Sequence, residues 1–362
     1  DYVRPLRSGR FEAGGRIQFR WIPITYDVHP GEGSVIYEGL GDRSEWGEDI
    51  VAGYVNYVHE KERYDIEAGV RVEHTDVYYD LPPENAFYEQ SDSYDYFEVY
   101  PNVRLTYNID STNRVSAHLT RRVDRPGEPE LRIFAKYDDP ELLKVGSPYL
   151  RPQFTETFEV AYEHLWDSGS LIASAYLRDI DDPFTRVFAI DPTNTTYDIV
   201  NRVYQNVGSG SNSGVELIVT QDVTDTWRLS GSINWYRNTI DADVVTLLFP
   251  VERPFVVQES DDDTWNLSLN NLFSFANGIE AQLSITYYAD MNIAQGTQDA
   301  RSSVDLGVSK PILGDRGELV FSFVDMFNDF GIRQHIDGGG FDAIYENYYE
   351  TQVVSVGFNY RF

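Results

Sequence analysis

The sequence predicts an all-β fold, a transmembrane antiparallel up-and-down β-barrel with about 14 strands present. Three observations carry that expectation. Apolar and polar side chains alternate with a period of two through much of the chain, the connections are short and long by turns, and aromatic residues reach 14% in a chain that is polar on average. A soluble core with 26 Tyr and 20 Phe would ordinarily carry more aliphatic bulk. A membrane barrel spreads its apolar side chains over an outer face and sets aromatic girdles at both interfaces.

The alternation is regular enough to assign faces. Tyr64, Ile66, Ala68, Val70 and Val72 share one side of a strand, opposite Asp65, Glu67, Gly69, Arg71 and Glu73. Trp227, Leu229, Gly231, Ile233 and Trp235 make a second such face, and Ile279, Ala281, Leu283, Ile285 and Tyr287 a third. Val304, Leu306 and Val308 repeat it, as do Leu319, Phe321 and Phe323. A helix would scatter these residues around its axis, whereas a strand sorts them. A soluble sandwich also alternates, but it needs only about 7–9 strands, joined by evenly short connections.

Connection lengths separate the two. Short ones fall at 59–62, 110–112, 167–169, 222–225, 277–278 and 313–317, and long ones at 29–45, 80–91, 124–153, 181–204, 241–261, 290–298 and 328–347. Asn277-Gly278 reads as a tight hairpin with both residues suited to positive φ. Outer-membrane barrels have this asymmetry, with short periplasmic turns and long extracellular loops. Counting back from the end puts Phe362 on the short-turn side. In the last segment Val354, Val356, Phe358, Tyr360 and Phe362 share a face. Such a strand is expected to close a barrel by pairing with the first one, since an open edge leaves backbone groups unpaired.

Composition removes several classes. Without cysteine there is no disulfide framework and no thiol-based metal or nucleophilic site. No apolar run approaches the roughly 20 residues of a spanning helix, while a tilted spanning strand needs about 9–11. The net charge of -30 disfavours nucleic acid and, at long range, favours cationic or metal-bearing ligands. The plainer reading is that acidic loops keep the rim solvated. The chain begins Asp1-Tyr2-Val3-Arg4-Pro5 without a signal peptide, as a processed exported protein would.

The residues that suggest chemistry have plainer readings. His29, His59, His74, His118, His164 and His335 show no metal-ligand spacing, and His118 shares a polar, lumen-lining face with Arg114, Ser116 and Thr120. The glycine-serine stretch 208–214 lacks a phosphate-loop lysine and has Asn212 where a nucleophile motif needs serine, so it reads as a flexible lead into a strand. The acidic runs 179–182 and 261–263 lack the calcium-loop pattern and read as solvated charge. No metal and no cofactor is expected. An outer-membrane hydrolase with His29, His335 and loop aspartates at its rim is the enzyme alternative, but no motif couples them, and a non-enzyme is expected.

Several stretches resemble TonB-dependent outer-membrane receptors. Ala52-Gly53-Tyr54 followed by Ala68-Gly69-Val70-Arg71-Val72-Glu73-His74-Thr75 is similar to that family's paired A-x-Y and A-G-x-R-x-E-x-T strands. Arg121-Arg122-Val123-Asp124-Arg125-Pro126 resembles its R-R-x-x-R-P element. Gly146-Ser147-Pro148-Tyr149-Leu150-Arg151-Pro152-Gln153 resembles G-N-P-x-L-K-P-E, with Ser147, Arg151 and Gln153 departing from it. Asn206-Val207-Gly208 with Gly214-Val215-Glu216-Leu217 resembles N-x-G…G-x-E-L, and Asp325-Met326-Phe327-Asn328 resembles D-x-F-N. The matches follow family order.

The resemblance implies a bacterial outer-membrane protein that imports a scarce ligand: an iron chelate, a cobalamin-like cofactor, an oligosaccharide or a peptide. It implies a barrel of about 22 strands, so residues 1–362 are expected to be one partial barrel domain, without the amino-terminal plug and first strands. The start at Asp1–Leu6, read as the tail of a preceding strand, fits that expectation. A complete, smaller porin-like channel is the alternative. Implied partners are outer-membrane lipid, the barrel-assembly machinery reading Phe358, Tyr360 and Phe362, and the TonB energising complex acting through the plug. A surface lipoprotein lid over the loops is a further candidate. Tyr137, Tyr149, Tyr197, Tyr204, Tyr345, Tyr348 and Tyr349 are the loop residues expected to stack on a ligand, a role that competes with interface girdles.

Overall fold

The computed structural model describes residues 1–27, 29, 31–32, 42–81, 88, 91–133, 142–194, 196, 198–314, 316–338, 340–347 and 350–362. Its main sheet has 15 strands, all antiparallel and each beside its chain neighbour in the sheet. In the first half these are β1 (Tyr2–Leu6), β2 (Gly9–Tyr26), β3 (Asp42–Glu60), β4 (Tyr64–Asp80), β5 (Ser91–Asn108), β6 (Asn113–Asp124), β8 (Gln153–Trp166) and β9 (Gly169–Asp181). The second half supplies β12 (Ser209–Thr224), β13 (Trp227–Ile240), β16 (Ser260–Ser274), β17 (Glu280–Tyr288), β20 (Arg301–Ile312), β21 (Gly317–Val324) and β24 (Val353–Tyr360). The intervening numbers are loop strands: β7 (Leu142–Val145), β10 (Phe184–Ile190), β11 (Val200–Asn206), β14 (Asp243–Leu247) and β15 (Arg253–Val257), then β18 (Met291–Ile293), β19 (Gly296–Gln298), β22 (Ile332–Asp337) and β23 (Asp342–Asn347). One short helix, α1 (Glu128–Leu131), joins them.

Short and long connections alternate as expected, with no short one exceeding five residues. The first, 7–8, escapes the sequence reading: Tyr2–Leu6 is a hairpin partner of β2. Gly9 enters β2 at φ 133°, where a Cβ would lie 2.0 Å from the Val58 carbonyl oxygen. At 275–279 only Gly278 takes positive φ (77°). Asn277 instead accepts the Ile279 N–H at 3.2 Å, making a wider turn than the two-residue hairpin expected. In the 109–112 turn Asp110 Oδ1 accepts the N–H groups of Thr112 and Asn113, each at 2.8 Å. The Thr112 N–H bond, with the Asn113 and Thr112 side chains, draws the Asp110 carboxyl down to about 2. Of the stretch 208–214, Gly208 is a bend at φ 37° and the rest is regular strand: Gly210 pairs with Ile180 and Ile240.

The faces are inverted relative to a soluble protein. Phe19 is 75% exposed, Leu177 60% and Val356 77%, while Glu48 and Glu73 are each 2% exposed. Cross-strand pairs align the outer face into a belt: Leu217 beside Ile233, Ile233 beside Leu267, Leu267 beside Tyr287. Aromatic pairs bound it. On β13, Trp227 stacks on Phe273 at 5.8 Å near the turns, and Trp235 stands opposite Trp265, which packs on Tyr287 at 4.7 Å. Eight residue steps of about 3.3 Å, tilted by about 40°, separate Trp227 from Trp235 by about 20 Å of height, close to the ~25 Å apolar band of an outer-membrane barrel. Above the belt Asp49, Asp76 and Asp95 face outward in one row. Like charges set opposite one another are tolerated only where water or counterions reach them.

The buried apolar core lies not in the wall but among the loops. Trp46, Val77 and Tyr79, at the inward-facing tops of β3 and β4, join Leu131, Leu150, Val187, Val203, Leu247, Phe249 and Val257. The loop strands form three small sheets: β10–β11–β7, β14–β15 and β18–β19–β22–β23. On β11 Asn201 and Val203 are buried while Arg202 and Tyr204 lie on the other face. β10, β11, β14 and β15 each turn an apolar side inward, as a soluble strand does, although Val244 and Val256 stay exposed. β1 and β24 each have a single partner in the sheet, so the expected pairing of last strand with first is not made among the described residues.

Candidate functional site

An ion network lines the inside of the wall at the level of the outward aspartate row. Glu48 on β3 pairs with Arg20 of β2 at 2.9 Å and with Arg125 at 3.2 Å. Glu73 on β4 accepts from Arg71 Nε at 3.0 Å, from the Thr75 hydroxyl at 3.3 Å and from the other end of Arg125. Arg125 also donates to Tyr96 Oη of β5 at 3.0 Å. Pro126 follows directly, so the chain leaves β6 there and its last arginine turns inward over β5 to β4 and β3. One fork-shaped cation thus ties β3 and β4 through two buried carboxylates and β5 through a tyrosine hydroxyl.

The other stretches that carried the resemblance meet at the same mouth. Gly146 N donates to the Arg132 oxygen at 3.1 Å, and a Cβ on Gly146 would come within 2.2 Å of that oxygen. Only glycine allows the approach. Arg151 lies 3.8 Å over the Tyr94 ring and pairs with Asp92 at 3.1 Å. Asn206 clamps Arg151 from both sides, its Oδ1 accepting the Arg151 N–H at 2.8 Å and its Nδ2 donating to the Arg151 oxygen at 3.1 Å. Asp325, 1% exposed, accepts the Asp329 N–H at 3.1 Å and the Thr351 hydroxyl at 2.6 Å. It bends β21 into the last loop and ties that loop to the start of β24. These elements build the loop scaffold.

Between the loop sheets lies a cleft of about 300 Å³. Phe184, Arg186 and Phe188 alternate along β10 toward it, and Tyr204 stands opposite Arg186 on β11. Arg186 Nε donates to Tyr204 Oη at 2.9 Å. The facing wall is Ile293, Ala294 and Gln295 with Gln334 of β22, and Glu130 adds the remaining polar edge. Gln295 acts as a strand extension: it accepts the Phe188 N–H at 2.6 Å and donates to the Phe188 oxygen at 2.8 Å. Beside it Arg202 Nη1 donates to Tyr345 Oη at 3.1 Å, and Tyr345 packs on Phe188 at 6.2 Å.

Of the tyrosines expected in a site, Tyr204 lines this cleft and Tyr345 borders it. Tyr149 is elsewhere, partly buried against Tyr88 at 5.8 Å and packed on the loop core. Tyr137, Tyr197, Tyr348 and Tyr349 lie outside the described residues. Arg186, Phe188, Gln295 and Tyr96 were not singled out from sequence, and Glu73 stood there only as part of a strand pattern and a motif. The alternation of 184–190 was a usable signal, but nothing local says which face looks into a cleft. His335 pairs with Asp299 at 3.2 Å. Asp261 is engaged by Arg237 and Asp262 by the Asn292 N–H. Phe358 and Tyr360 lie on the outer side of β24, in line with Leu319 and Gly317, and Tyr360 packs edge-on to Phe362 at 5.4 Å.

A sheet with its greasy side out, polar side in and long loops at one end is the wall of a membrane β-barrel. The chain belongs to the outer membrane protein β-barrel family, which it matches over residues 1–360, and its place is the bacterial outer membrane. Solved structures of like fold include the FrpB iron transporter from Neisseria meningitidis (F3-3 variant), at 13% identity and a TM-score of 0.58, covering 99% of this chain and 53% of that one. The copper transporter OprC matches at 12% identity and 0.60, covering 98% and 54%. The ferric-catecholate import receptor Fiu from E. coli K12 matches at 14% and 0.58, covering 98% and 51%. At such identities the likeness is one of fold, and the chain spans about half the length of these neighbours. No curated protein matches by sequence. Family and neighbours are outer-membrane barrels rather than enzymes, and the rim-hydrolase alternative has no counterpart among them.

Proposed function

We propose that this chain is the wall and ligand-capturing loop face of a TonB-dependent importer. The observation that carries the reading is the packed loop assembly: loops that fold on a hydrophobic core of their own and enclose a cleft over the lumen are more than a porin rim requires. The barrel is closed by further strands that pair with β1 and β24, since unpaired edges are not tolerated in hydrocarbon. A plug within it couples to the energising complex. Coverage of about half of each neighbour supports both parts. Phe358, Tyr360 and Phe362 serve as the signal for barrel assembly. The cargo is a scarce nutrient; iron and copper transporters and a ferric-catecholate receptor among the neighbours put metal chelates first, ahead of cobalamin-like cofactors, oligosaccharides and peptides.

Uptake of labelled ferric chelates by cells with and without the gene tests this. Uptake that depends on the protein and stops when a protonophore collapses the proton gradient is expected. Protein-dependent uptake that ignores the protonophore would mean a passive channel, the porin-like alternative.

A further inference from the structure

Many arginines of this protein pair with carboxylates, as 59 acidic against 29 basic residues would favour. Even on exposed parts of the wall Arg114 pairs with Glu163, Arg228 with Asp222 and Arg237 with Asp261. Arg186 belongs to a second group, with Arg202 and Arg301, that lies against aromatic rings instead. It lines the cleft between the loop sheets, and among the described residues no carboxylate stands within ion-pair distance of it. Its Nε is held by Tyr204 Oη at 2.9 Å and its guanidinium lies 5.2 Å from the Tyr204 ring centre. Arg186 is exposed, so its terminal nitrogens reach solvent at the cleft and are open to another group.

Thr185 adds a hydroxyl to the lining, and the rest is largely engaged or apolar. Glu130, the one carboxylate among the described lining residues, accepts the Gly127 N–H at 2.9 Å. Gln334 donates to Gln298 at 3.0 Å, and both ends of the Gln295 amide are spent on Phe188. Phe184 and Phe188 flank Arg186 on its own face of β10, and Ile293 faces them. A guanidinium in a partly enclosed cleft, oriented by one tyrosine and walled by aromatic rings, is a fork for an oxyanion with room for a flat apolar body beside it.

We propose that this cleft binds a small aromatic ligand, or part of one, through a carboxylate seated on Arg186, with Phe184, Phe188 and Tyr204 holding the ring. This rests on the capture reading above and assigns it a ligand chemistry. It reverses, for the cleft, what the net charge of the whole chain suggests: the acidic excess lies elsewhere, and the cleft itself selects anions. Tyr204 positions the guanidinium, and the Gln295 clamp holds the two walls at a fixed spacing.

Binding of 1-naphthoate to the whole purified protein in detergent, followed by saturation-transfer NMR, tests it, with 1-naphthylmethylamine as the cation of equal ring size. Naphthoate is expected to bind saturably in the millimolar range or tighter. The amine, and naphthoate on Arg186→Gln, should bind about tenfold or more weakly, the loss expected for a charge-assisted pair. Tyr204→Phe should lose a few-fold and Arg237→Gln nothing, with circular dichroism unchanged throughout. No saturable naphthoate binding, equal binding of the amine, or full binding by Arg186→Gln would overturn the proposal. If those failures came with protonophore-sensitive uptake intact, the anion site alone would fall. If naphthoate bound through Arg186 but energised uptake were absent, the import reading would fall and the site would stand.

Discussion

Replacing Arg125 with leucine is expected to lower the stability of the folded wall by about 2–3 kcal/mol, somewhat less than the roughly 3–5 kcal/mol lost when a buried charge is left with no partner at all. Glu48 and Glu73 are both 2% exposed, and both rely on Arg125. Each keeps one other arginine, Arg20 or Arg71, which is why the loss falls short of the upper range. Arg125→Lys should retain part of the stability, because an ammonium keeps the charge but cannot fork between two carboxylates and Tyr96 Oη. The urea midpoint of the detergent-folded protein gives the readout. Arg114→Gln, which breaks a pair whose arginine is 53% exposed, is the comparison and should cost no more than about 1 kcal/mol. Equal losses for Arg125→Leu and Arg114→Gln would show that the network is not buried as described.

Leu217→Arg should have an effect of similar size for a different reason. Leu217 is 44% exposed on the outer face, between Ala173 and Ile233 in the ladder. In water an exposed leucine-to-arginine change is nearly neutral. In a bilayer the guanidinium must be stripped of water or drawn to an interface, and for a barrel this costs about 2–4 kcal/mol near the midplane. Glu216, its chain neighbour, points into the lumen, so Glu216→Gln should be close to silent. Folding yield and unfolding midpoint in lipid vesicles distinguish the two. The pair is informative because adjacent residues share every property of position except the face.

Much of the wall was legible in the sequence because lipid imposes a strict period on it. Residues such as Trp227, Leu229, Ile233 and Trp235 have one permitted side, and alternation alone reveals it. The seven long connections were legible for a related reason, since they interrupt that period. The nine loop strands were not. They are three to seven residues long, and they bury apolar side chains such as Val187 and Val203 in a local core. Their alternation therefore says nothing about lipid. The stretches that resembled a receptor family were visible as motifs, but their work was not: Arg125 acts through Glu73, 52 residues away, and Asn206 through Arg151, 55 away, and one-dimensional spacing does not encode such distances. For the cleft, only Tyr204 and Tyr345 were anticipated. Aromatic content drew attention to tyrosine, while Arg186 was hidden by an overall charge of the opposite sign.

The most direct test concerns which face meets lipid. Because the chain has no cysteine, each cysteine introduced from Val215 to Gln221 on β12 gives a single spin-label position. Collision with oxygen, which concentrates in lipid, and with a water-soluble nickel chelate can then be compared residue by residue in vesicles. Oxygen should dominate at 215, 217 and 219 and the nickel chelate at 216, 218 and 220. A reversed phase, or no alternation at all, would contradict a wall with its apolar side turned to the membrane.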